Sequence, residues 1–170
     1  MPIDLILPAS MSLAILAWSL VLVWYVHPHL RPLPVEQALR PLLLLHSFRY
    51  VGLMFLIPGV TSEALDLRFA APAAYGDLVA ALLALAAIVA FRLGRLPGLA
   101  MAWLFSLWGF ADLVNAVARG IRFTPDGALG ATFWIPALIV PLLLVSHVYI
   151  FQRLVAEHRL QSARVSGQGV

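Results

Sequence analysis

At 170 residues, the chain has room for one domain and, once membrane spans are counted, for no second one. Apolar residues make up 62% and charged residues 11%, against about 45–50% and about 25% in a water-soluble domain, so water is not the main solvent of its surface. The formal charge is +3, but the cations stand singly at the ends of apolar runs and form no patch, which argues against a nucleic-acid partner and reads as a topology signal.

The composition also excludes some chemistry. Every one of the 11 cationic side chains is Arg; without Lys there is no retinal Schiff base or other Lys imine. Without Cys there is no disulfide exchange, no thiolate metal ligand, no c-type haem and no S-acylation. The chain carries no Walker loop, no G-x-G-x-x-G, no H-E-x-x-H and no dense histidine boxes.

Five apolar segments are long enough to cross about 30 Å of hydrocarbon at about 1.5 Å per residue. The first covers about 9–26 and is expected to stop at the proline-rich run His27 to Pro34. It lacks a basic leader and a small-residue cleavage site, and reads as a retained helix. The second is predicted over 41–57, with Pro41 as its first residue and Pro58-Gly59 as its stop. The third, 72–91, needs Pro72 to Asp77 as its first turns. The fourth covers 97–118 and the fifth 131–152, the latter with Pro136, Pro141 and His147 but no Asp, Glu, Arg or Lys.

The expectation is an all-α integral membrane protein. Residues 1–155 form a five-helix transmembrane domain, and 156–170 form a polar C-terminal tail that frays. Arg31, Arg40, Arg92, Arg95, Arg153, Arg159 and Arg164 lie at one set of helix ends; Arg68, Arg119 and Arg122 lie at the other. By the positive-inside rule the N-terminus faces out and the C-terminus is cytoplasmic, in a cell inner membrane. Membrane lipid is the expected partner, with a homodimer or a membrane complex as further possibilities; a symmetric dimer would restore the symmetry that five helices lack.

An ionisable side chain inside a span costs about 2.5–3.5 kcal/mol on insertion scales, so each one is a candidate for function. Helix two carries His46, Arg49 and Tyr50. Helix four carries Trp108, Asp112, Asn115 and Arg119 in one stripe at helical period. Arg49 lies near mid-span and Asp112 about a turn away in depth, so the two are expected to pair, either as a functional site or as a strut that orders the bundle. Trp108 would floor a cavity beside them.

His46 lies six residues from Arg40, and His147 six from Arg153, which sets them at one depth. They are expected to share a cavity that opens toward the cytoplasm, with Arg49 at its inner end. Two such histidines could relay protons, clamp a b-type haem, hold a metal with a third ligand, or each bond to a carbonyl or Ser. No cofactor is the leading expectation, and if a metal is held, His46 and His147 hold it. Asp77, near the outer end of helix three, is expected to reach Arg119 or to snorkel to headgroups.

Three functions fit. The leading one binds or passes a proton, an ion or a small polar solute along a ladder of His46, His147, Arg49, Asp112, Asn115 and Asp77. The second is a redox or metal enzyme using the two histidines, and the third is a structural subunit.

Overall fold

The computed structural model describes residues 3–167. They are almost entirely helical, and five helices are long and apolar enough to cross a membrane. We label them α1 to α5.

Helix α1 runs Ile3–Val21, continues through a π turn, Leu22–Val26, and ends in His27–Leu30. Helix α5 has the same device: a 3-10 turn, Gly130–Phe133, and a π turn, Ile135–Ile139, lead into Val140–Gly167. Each π turn closes two residues before a proline, Pro28 or Pro141. A proline ring collides with the carbonyl four residues back and offers it no N–H, and one wider turn moves that carbonyl aside without ending the helix. Pro28 therefore lies inside α1, where the sequence reading had the helix stop.

Helix α2 runs Val35–Ser47 and continues as a 3-10 helix, Phe48–Leu56. Its start is set by Pro34, whose extended ψ and fixed φ lead into Val35, so Pro41 is an interior residue and not the first. Helix α3, Leu67–Leu93, is capped by Asp66, which accepts the Arg68 backbone N–H at 2.7 Å and the Arg68 guanidinium. These bonds hold the Asp66 carboxyl below the usual carboxylate range. Pro72, predicted to open the helix, sits in its second turn.

A single residue, Gly94, joins α3 to α4, Arg95–Phe123. Its φ of 155° is open to glycine and strained for other residues. The two helices thus form a tight antiparallel hairpin. Ala73, Ala80, Ala84 and Ala87 are buried on α3, and such small side chains allow close helix approach in a membrane.

Helix α1 is peripheral and packs on α5, where the Trp18 indole donates to the Leu138 carbonyl of the π turn at 3.2 Å. The Arg153 guanidinium donates to the carbonyls of Leu30, Arg31 and Leu33 at 2.6–3.0 Å, which ties the α1–α2 connection to α5. The stretch from 156, expected to fray, stays helical to Gly167. It is rich in helix formers, and Glu157 accepts from Arg95 on α4 at 2.5 Å. Residues 168–170 of that predicted tail lie outside the described residues.

Two apolar clusters fill the bundle. One gathers Leu39, Leu43, Leu99, Phe105, Tyr149 and Ile150; the other gathers Phe55, Phe69, Leu113, Leu129, Ile135 and Leu143. Polar side chains are buried on every helix from α2 to α5: His46 and Arg49 on α2, Asp77 on α3, Ser106 on α4, and Thr132, Ser146 and His147 on α5.

Candidate functional site

The change from α to 3-10 geometry in α2 places the central residue. At three residues per turn, side chains three apart eclipse one another, so Arg49, Gly52 and Phe55, all buried, form one straight stripe. Runs of 3-10 helix longer than three or four residues are uncommon; this one has 9. It points Arg49 across the bundle at the α3–α4 hairpin.

There the guanidinium is fully enclosed. Its Nε donates to Asp77 Oδ1 at 2.7 Å, its Nη2 to Asp112 Oδ2 at 2.7 Å, and its Nη1 to the Gly109 carbonyl at 3.0 Å. The expected Arg49–Asp112 contact is thus half of a larger cluster. Asp77 does not reach Arg119 and does not snorkel: it is 9% exposed and bound to Arg49. Helix α3 begins five residues earlier than predicted, which moves Asp77 from its outer end well into the span. Arg119 instead donates to Asn115 Oδ1 and to the Arg68 carbonyl.

Three glycines make the cluster fit. A Cβ on Gly52 would collide with the Asp77 carboxylate, and one on Gly76 with the Asp112 carboxylate. One on Gly109 would lie 2.9 Å from Arg49 Nη1 and 3.0 Å from His147 Nε2. None of them was singled out from the sequence, although Gly52 stands three residues after Arg49 and Gly109 three before Asp112.

His147 meets the cluster over Gly109, and His46 lies beside it with ring centroids 4.2 Å apart. Both are completely buried. The Ser146 hydroxyl donates to the Leu143 carbonyl at 2.9 Å, so its oxygen is left to accept from His46 Nε2 at 2.9 Å, and His46 carries its proton on Nε2. His46 Nδ1, both nitrogens of His147 and the Ser106 hydroxyl have no protein partner. The histidines are adjacent, but the expected cavity toward the cytoplasm is closed: Phe105, Phe110 and Phe151 pack around His147. The two rings touch, with no gap between them for a porphyrin. Among the described residues no three His, Asp or Glu side chains gather as a metal set.

The opening lies elsewhere. A cavity of about 510 Å³ runs along the outer surface of the hairpin and is lined by Tyr75, Gly76, Val79, Trp108, Asp112 and Asn115, among others. Trp108 is therefore beside the site, in its wall. Tyr50 is not: it is 50% exposed, and its ring centroid lies 6.3 Å from that of Phe48.

The family described as a domain of unknown function (DUF8737) matches residues 6–155, which include every residue of this site, and the chain belongs to that family. No curated protein and no solved structure matches it.

Proposed function

We propose that this chain is a multi-pass protein of a cell inner membrane, with its N-terminus outside and its C-terminus cytoplasmic, that binds or passes a proton, an ion or a small polar solute at the Arg49–Asp77–Asp112 site. The observation that carries this reading is a charge count: two carboxylates share one guanidinium. With all three ionised, the cluster holds one net negative charge in a medium where an uncompensated charge is costly. A proton or a monovalent cation removes that imbalance, so the cluster is built to take one up and release it. Asp112 borders the open groove, which gives the charge a way in. His46 Nδ1 and the unprotonated nitrogen of His147, both without a protein partner, supply further proton acceptors on the other side of Arg49. A strut would need only one carboxylate.

The test is proton movement in liposomes holding the purified protein and a pH-sensitive dye, under an imposed pH gradient. The native chain is expected to collapse the gradient faster than empty liposomes, and Asp112→Asn to remove the difference. Equal rates for native and empty liposomes would overturn the reading. An optical spectrum of the same preparation addresses the redox alternative, since haem bound at the histidines would give a Soret band.

A further inference from the structure

The groove beside Asp112 carries more information than its charge. We infer that it is a binding site for a lipophilic ammonium ion, an organic monovalent cation on an apolar chain, which seats its charge at Asp112 between Tyr75 and Trp108. This rests on the reading that the cluster takes up positive charge, and it adds the class of cation and the route.

The charge excess at Asp112 excludes an anion and favours a cation. The walls select which one. Tyr75 on α3 and Trp108 on α4 flank the groove and are 58% and 46% exposed. Aromatic faces attract ammonium groups, most strongly where water is scarce, whereas a small hydrated metal ion would want several oxygen ligands. Gly76 keeps the floor open, because any side chain there would strike the Asp112 carboxylate.

The groove also has a direction. Val79 continues into Leu82 on α3, and Trp108 is one turn from Leu104 on α4; both leucines are exposed. Because the helices are antiparallel, both stripes run from the groove toward the Gly94 end, which gives an apolar chain a track in the hydrocarbon. At the other end Arg119 lies about two turns from Asp112, bound to Asn115 and to the Arg68 carbonyl. Its like charge closes that mouth to a cation, so entry is sideways from the lipid.

An ammonium ion and a proton would compete for the same carboxylate. The charged or titratable groups around Asp112 are Arg49 from α2, Asp77 and Tyr75 from α3, Arg119 on its own helix, and His147 from α5 across Gly109. Protonating Asp112 cancels the attraction, so ammonium binding should weaken as pH falls and should release a proton when it occurs.

The experiment is binding of radiolabelled decyltrimethylammonium to the protein in phosphatidylcholine nanodiscs, with empty discs as background. Saturable binding is expected, displaced by unlabelled decyltrimethylammonium but not by decanol or decyl sulfate. Asp112→Asn, and separately Tyr75→Leu with Trp108→Leu, should each weaken it by about tenfold or more. Should Asp112→Asn fail to fold, the native protein still decides: binding should fall as the pH is lowered from neutral into the carboxylate range at about pH 4, as carboxyl groups protonate. Binding no greater than to empty discs, equal displacement by decanol, unchanged binding in either folded variant, or no loss at low pH would overturn the inference. Proton flux without ammonium binding would remove the ligand class and leave the proposed function standing. Ammonium binding without flux would keep uptake of positive charge at the cluster and remove passage across the membrane.

Discussion

Arg49 is held by two acids that compete for it, and the consequence for mutation is unusual. Asp77 and Asp112 each take one short charge-assisted bond from the guanidinium, so removing either charge leaves a balanced one-to-one pair. Asp77→Asn and Asp112→Asn should each change thermal stability in detergent by no more than about 1 kcal/mol at neutral pH. The double variant strands a buried guanidinium and should cost about 3–5 kcal/mol, far more than the sum of the singles. Circular-dichroism melts of the four proteins check this, and additivity would show that the acids do not share the charge. The glycines set a steric counterpart. Gly76→Ala forces the Asp112 carboxylate from its place, and because that group is also tied to Arg49, the methyl should cost about 1–3 kcal/mol by overpacking. A Gly76→Ala protein as stable as the native one would mean that the carboxylate has room to move.

At the scale of elements, what was readable depended on whether the decisive signal was energetic or local. The cost of a charge in hydrocarbon selected Arg49 and Asp112 and required a partner for each, and that argument needs no fold. A helix start at Pro72 puts Asp77 too near the outer end of the span; the start at Leu67 corrects it. The Asp66 cap is a local hydrogen bond to the Arg68 backbone N–H, a signal that apolar length does not contain. The π turns before Pro28 and Pro141 and the long 3-10 stretch of α2 were not readable, since each is a tertiary solution to a proline or to a site. The equal depth of His46 and His147 followed from spacing, but which side of the pair is sealed depends on how Phe105, Phe110 and Phe151 pack. Arg153 belongs to the same class of unread features. It bridges three carbonyls of the α1–α2 connection with a fork that an ammonium lacks. Arg153→Lys should therefore lose about 1–3 kcal/mol despite keeping its charge, and α1 should loosen first. Limited proteolysis after Leu30 is the measurement, and cleavage at the native rate would count against that role for Arg153.

For the molecule as a whole, the distribution of Arg side chains makes its two ends chemically unequal, and orientation decides which solution each faces. Seven Arg side chains follow the ends bearing Leu30, Val35, Leu93, Arg95 and the C-terminal part of α5; three follow the opposite ends. Cations near helix ends are retained on the cytoplasmic side, so the Gly94 turn and the α5 extension should lie in the cytoplasm. The groove's apolar track would then run toward the inner leaflet, while the mouth guarded by Arg119 would face outward. This distribution is testable apart from any activity. A reporter active only in the cytoplasm, fused after Arg164, should be active, and one fused after Gly59 should be silent. Moving the bias should move the protein: Arg92, Arg95 and Arg159 changed together to Gln leave four cations against three, and a mixed population is expected. Arg95 also binds Glu157, so the variant needs a melt to show that it folds. If the folded triple variant keeps a single orientation, the Arg count is not what orients the chain, and the direction assigned to the groove loses its support.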